Sequence, residues 1–166
     1  MVINVLEWLE KSAEKYNDKI AYSDEESSLT FLQVKSLAQS IGSALIERGA
    51  DGNPIAVFSG RSVMTVAAFL GVVYSGCSYA PIDSKLPRAR IEKIMETLSP
   101  SIILTDGENC DFVKELGFDV EKLFCLRTQS GTKRMMKSSK KFAVFQMKTI
   151  RFILFSPQVQ QEIPRV

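Results

Sequence analysis

The residues that point most directly at chemistry lie at the end of the chain, in a register other than the one translated. The last twelve residues run Phe155-Ser-Pro-Gln-Val-Gln-Gln-Glu-Ile-Pro-Arg-Val166. Back-translated with every codon left degenerate, and read from the third base of each codon into the first two of the next, they permit F-T-S-G-S-T-G-x-P-K-G, with Asn or Asp at x. Thr149 to Phe155 permit, in the same register, Asp, Pro, Val or Ile, Tyr, Ile, and then Ile or Phe. Together these spell a short apolar strand, a Ser/Thr/Gly-rich loop and a following Lys. The backbone amides of such a loop cradle phosphates, and the Lys adds positive charge. Other candidates for phosphate contact in the translated frame are Lys85, Arg88 and Arg90, near the start of a helix. A solvated helix start explains the same three residues.

Other chemistries have less to work with. The 166 residues contain no His, which removes His-based triads and His metal sites. Cys77, Cys110 and Cys125 show no CxxC spacing. Their odd number points to reduced, buried thiols rather than a disulfide framework. The N-terminus Met1-Val-Ile-Asn4 lacks a basic region and a cleavage site, so no signal peptide is read. The apolar run Val63–Tyr74 is too short to span a bilayer, so a cytoplasmic location is expected.

Charge divides the chain. Net charge is +2, yet residues 1–126 carry 12 Lys and Arg against 18 Asp and Glu, and residues 127–166 carry 9 against 1. A basic arm for nucleic acid or an anionic membrane is one explanation. A-rich codons read out of frame, which encode Lys, are the other. The first makes the protein a small α/β binding module. The second predicts neither nucleic acid nor membrane as partner.

The elements that would position any site follow a regular rhythm up to Leu126. Asn4 with Glu7 starts a helix whose face carries Val5, Leu9, Ala13 and Tyr16. A short strand, Ile20–Tyr22, and an acidic turn at 24–28 follow. Thr30 and Gln33 form a capping box for a helix with Val34, Leu37, Ala38, Ile41 and Leu45 on one face, and Gly49 ends it. Strands are then read at 55–58, 79–82, 102–104 and 123–126. Helices between them are read at 63–74, after Pro87, and at 111–116, with Gly76 and Gly117 as stops. This alternation predicts an α/β fold, a mostly parallel sheet with flanking helices. After Leu126 neither period nor caps continue, and the change of frame is placed near 126–134.

Two segments carry a resemblance. The first is Leu29-Thr30-Phe31-Leu32-Gln33-Val34. The second is Gly71-Val-Val-Tyr-Ser-Gly76-Cys-Ser-Tyr79-Ala-Pro81-Ile82-Asp83, followed by Pro87, Arg90 and Ile102-Ile-Leu-Thr-Asp106. They resemble the first two core motifs of the adenylate-forming (AMP-binding) superfamily: acyl-CoA synthetases, adenylation domains of nonribosomal peptide synthetases, and D-alanine–carrier protein ligases. Phe31 stands where the family usually has Tyr, Gln33 where it has Glu, and Val34 where it has Leu. The shifted tail resembles the family's third motif, its phosphate loop.

The resemblance implies the opening part of the large N-terminal domain of an adenylate-forming enzyme over 1–126, with 127–166 as an out-of-frame basic tail. It implies an ATP-dependent ligase that uses Mg²⁺, activates a carboxylic or amino acid as an acyl-adenylate, and passes the acyl group to a pantetheine thiol of CoA or a carrier protein. It makes Leu29, Thr30, Phe31, Gly76, Tyr79, Pro81 and Asp83 structural motif residues. No catalytic, cofactor-binding or metal residue is assigned. The family's adenine-contacting segment, ribose-binding Asp and C-terminal Lys do not occur in these residues. The chain is therefore expected to be an inactive fragment.

Overall fold

A computed structural model describes residues 4–126. The basic arm, the frame change and the shifted phosphate loop all lie outside the described residues.

Helix α1 spans Val5–Lys15, and the Asn4 side chain accepts the amides of Leu6 and Glu7, as the sequence predicts. Strand β1, Ile20–Ser23, pairs antiparallel with β2, Ser28–Thr30, in a two-stranded sheet of their own. The acidic turn is therefore the tip of a hairpin. Asp24 shapes it by accepting the amides of Glu26 and Ser27 at 3.0 and 2.7 Å.

Helix α2, Phe31–Glu47, starts at the predicted capping box. Gln33 Oε1 accepts the Thr30 amide at 2.8 Å, and Thr30 Oγ1 accepts the Gln33 amide at 3.3 Å. Each bond satisfies a donor that the helix start would otherwise leave without a partner. All five residues of its predicted apolar face are buried.

The main sheet contains β3 (Ile55–Phe58), β4 (Tyr79–Pro81), β5 (Ile103–Asp106) and β6 (Leu123–Leu126). Its order is β4-β3-β5-β6, and every pairing is parallel. Helices α3 (Val63–Tyr74), α4 (Arg88–Leu98) and α5 (Asn109–Glu115) connect the strands, with a 3₁₀ turn at Val120–Lys122 before β6.

Because side chains alternate along a strand, the sheet feeds two cores. Ile55, Val57, Leu104 and Phe124 face α2 and α3. Ala56, Phe58, Ile103 and Leu123 face α4 and α5. All of these residues are buried, which is why β3 reads as an unbroken apolar run and not as an alternation.

The α2–α3 contact is the most extensive between helices. Two glycines let the backbones approach. A Cβ on Gly71 would lie 2.6 Å from Cβ and Cγ2 of Ile41, and one on Gly42 would lie 2.6 Å from Cβ of Tyr74. At the other end of α3, Gly76 takes φ +80, where a residue with a Cβ is strained, and turns the chain into β4.

The thiols depart from the sequence reading. Cys110, in the first turn of α5, is disulfide-bonded to Cys125 on β6, while Cys77 is free and buried. The two positions have no motif spacing. The parallel β5–β6 pairing brings them together, with Cα atoms 6.0 Å apart.

Candidate functional site

In open parallel sheets ligands gather beyond the carboxyl ends of the strands, where the strand order reverses. Here that point lies between β3 and β5, because β4 is placed on one side of β3 and β5 on the other. Two loops meet there: 59–62, leading into α3, and 107–108, leading into α5.

The rim they form is polar and closely bonded. The Ser59 hydroxyl lies 2.7 Å from that of Thr65, and the Ser62 hydroxyl lies 3.1 Å from it. Thr65 also donates to the Gly60 carbonyl. Asp106 Oδ2 accepts the Gly60 amide at 2.7 Å, and its Oδ1 accepts the amide and side-chain nitrogen of Asn109, both at 2.8 Å. Asp24 reaches across from the hairpin, and its Oδ2 accepts the Val63 amide at 2.9 Å. That bond above all, with the Ser27 amide next, holds the Asp24 carboxyl below its ordinary value of 3.8.

Amides at a loop and a helix start, as in Gly60 and Val63, are the donors that phosphates use. Both are already engaged by carboxylates of the chain itself. A phosphate would have to displace an Asp side chain from each. The rim is therefore built to hold two loops and a hairpin together. The sequence shows Asp106 only as the end of an apolar segment and Asp24 only as part of an acidic turn, since the partner of Asp106 lies 46 positions away and that of Asp24 39 positions away.

The motif residues lie at separate joints. Leu29 is buried in β2, Thr30 caps α2, and the Phe31 ring sits 6.5 Å from that of Tyr16. Gly76 ends α3. Tyr79, on the outer strand β4, stacks on Phe69 with ring centroids 4.4 Å apart. Pro81 closes that strand, where a residue without an amide hydrogen is tolerated because β4 pairs on one side only among the described residues. Asp83 accepts the Lys85 amide at 2.9 Å and turns the chain toward α4.

Arg88 and Arg90 are engaged differently. Arg88 pairs with Glu92 at 2.7 Å and donates to the Leu116 carbonyl at 3.3 Å. Arg90 points instead into an open groove of about 420 Å³ along α4, which it lines with Lys93, Ile94, Thr97 and Leu98. Arg48, just past α2, has a structural task. Its Nη1 donates to the Leu123 carbonyl at 3.3 Å and its guanidinium lies 4.8 Å from the Phe124 ring centre, bracing β6. Among the described residues no group of three or more His, Cys, Asp or Glu is placed to hold a metal ion, and no helix is long and apolar enough to cross a membrane.

The comparisons with known proteins agree in direction. The family model described as "AMP-binding enzyme" matches residues 9–155. Tyrocidine synthase 1 of Brevibacillus parabrevis is 31% identical over 113 residues, 68% of this chain and 10% of that protein. The D-alanine–D-alanyl carrier protein ligase of Listeria welshimeri is 29% identical over 110 residues, 65% of this chain and 22% of that protein. Among solved structures, the nonribosomal peptide synthetase FmoA3 in its α-methyl-L-serine-AMP bound form superposes with a TM-score of 0.67 at 28% identity, covering 75% of this chain and 14% of that one. The chain thus spans less than a quarter of the length of each of these proteins.

Proposed function

The chain belongs to the AMP-binding enzyme family, and from that premise we propose that it forms the opening scaffold of a domain that activates a carboxylic or amino acid. The activation would consume ATP, with Mg²⁺, and give an acyl-adenylate. The acyl group would then pass to a pantetheine thiol of CoA or a carrier protein. The family match over residues 9–155 carries this reading. The adenylate bound to FmoA3 and the carrier protein in the ligase's name support its two halves.

Within that reaction the described residues have a defined share. They do not fit a nucleotide or its metal, because the rim amides of Gly60 and Val63 are held by Asp106 and Asp24, Arg88 is paired with Glu92, and among the described residues no His, Cys, Asp or Glu group is placed to hold a metal. Their work is to set the sheet, so that a phosphate-gripping loop carried elsewhere is held rigidly.

Two measurements test the proposal. ATP–pyrophosphate exchange by the 166-residue chain, run with a panel of amino and fatty acids, is expected to stay at background. Clear exchange would overturn the scaffold reading. The nucleotide sequence across codons 126–166 is expected to hold an insertion or deletion near 126–134 and, in the shifted register, the Ser/Thr/Gly-rich loop. Bases unable to encode that loop in any register would remove it from the proposal. Restoring the frame is expected to bring the loop back, and with it acid-dependent exchange once the rest of the domain is supplied.

A further inference from the structure

The disulfide between Cys110 and Cys125 is placed where it can act locally. Cys110 is buried in the first turn of α5, and Cys125 is half-buried on β6, the last strand of the sheet among the described residues. The bond closes a short loop, 15 positions in sequence, that contains only α5, the 3₁₀ turn and the start of β6.

Other contacts hold the strand as well. β6 pairs with β5 at four positions, Leu123 and Phe124 are buried, and Arg48 braces both. Cys110 belongs to the apolar cluster formed with Ala56, Phe58, Ile103 and Val113, and Cys125 packs against it. A pair of thiols is at home there as well, since free Cys behaves as a small hydrophobe. Access is unequal. Cys125 is partly exposed, whereas Cys110 and the free Cys77 are buried.

We propose that Cys110 and Cys125 form a reversible thiol–disulfide latch that sets how firmly β6 is held against β5. A small thiolate such as glutathione attacks Cys125 Sγ. The S–S bond breaks, and Cys110 leaves as a thiolate that takes up a proton. A second glutathione thiolate attacks the mixed disulfide, frees the Cys125 thiol and departs as glutathione disulfide. Oxidation runs the same steps backward. The latch tightens α5 and β6 and leaves the α2–α3 pair unchanged.

The 166-residue chain is equilibrated at graded ratios of reduced to oxidised glutathione, trapped with iodoacetamide after acid quench and unfolding, and weighed intact. The expected result is one labelled thiol at the oxidised end, three at the reduced end, and full recovery when the ratio is reversed. Hydrogen exchange read in the same samples is expected to slow at residues 109–126 on oxidation by up to about 100-fold, the stabilisation given by closing a loop of this length, with α2 and α3 unchanged. Cys77→Ser is expected to give the same transition. Three results overturn the proposal: a pair that stays reduced in oxidised glutathione, a bond that excess reduced glutathione leaves intact in the folded protein, or equal exchange of the β6 amides in both states.

Discussion

Replacing Gly71 by Ala sets two effects against each other. In an ordinary helix the change stabilises by about 1 kcal/mol, because Gly carries more backbone entropy in the unfolded chain. Here the added Cβ would sit 2.6 Å from Cβ and Cγ2 of Ile41 and 3.1 Å from the Ala38 carbonyl oxygen. Carbon contacts need about 3.5–4.0 Å, so α2 and α3 must part by about 1 Å at their crossing. No rotamer change relieves this, because Cβ of Ile41 is fixed to the backbone of α2. Overpacking of this kind costs about 1–3 kcal/mol. A clash with two anchored atoms belongs at the upper end, so the net loss expected is about 2 kcal/mol once the helix gain is subtracted. Urea unfolding followed by far-UV circular dichroism reads this as a lower midpoint with an unchanged slope. Ser43→Ala, on the exposed side of α2, is the control and is expected to be neutral or slightly stabilising. Gly42→Ala, which meets Cβ of Tyr74 at 2.6 Å, is expected to cost less in the Gly71→Ala background than alone, because the helices have already parted. A Gly71→Ala chain as stable as the parent would show that the helices do not approach as described.

Two further perturbations test the joints around this pair. The Asp24 carboxyl titrates below 3.8 in the fold, through the Val63 amide first, so its contribution to stability is complete above that value and is lost as pH falls through the lower folded value. Asp24→Asn is expected to flatten the acid limb of the stability profile relative to the parent, and identical limbs would refute the tie to α3. The Tyr74 hydroxyl donates to Glu10 at 3.0 Å, and burial first, then Glu10, pushes its pKa from 10.0 to about 12. The unfolded chain therefore loses this proton first, and stability falls as pH rises through that interval. Tyr74→Phe is expected to reduce that alkaline loss, seen in thermal midpoints measured across it, and a loss of the same size in both proteins would refute the assignment.

Much of the fold was legible because its local signals agree with one another. The ends of β3 and α3 follow from Ile55–Phe58 and Val63–Tyr74, apolar runs bounded by Gly, Ser and Asn, and the Thr30 capping box fixes the start of α2. Leu29 is harder to read. It is one apolar residue between Ser28 and Thr30, too short an alternation to announce a strand, and only pairing with β1 makes it one. α5 begins two residues before Asp111, where no side chain caps it. The disulfide and the Asp24–Val63 bond were illegible for a shared reason: each joins residues that meet only after strands and hairpin are assembled. Legibility of the site was limited in another way. Gly76, Tyr79, Pro81 and Asp83 form a recognisable family pattern, but each serves a turn, a stack or an edge, so the pattern identifies the scaffold without supplying a reacting group.

With the amides of Gly60 and Val63 tied to Asp106 and Asp24, the segment from α1 to β6 spends these two donors on holding itself together. It should therefore be exchangeable among relatives that favour different acids. A chimaera that receives these residues would inherit their melting behaviour and keep its own preference.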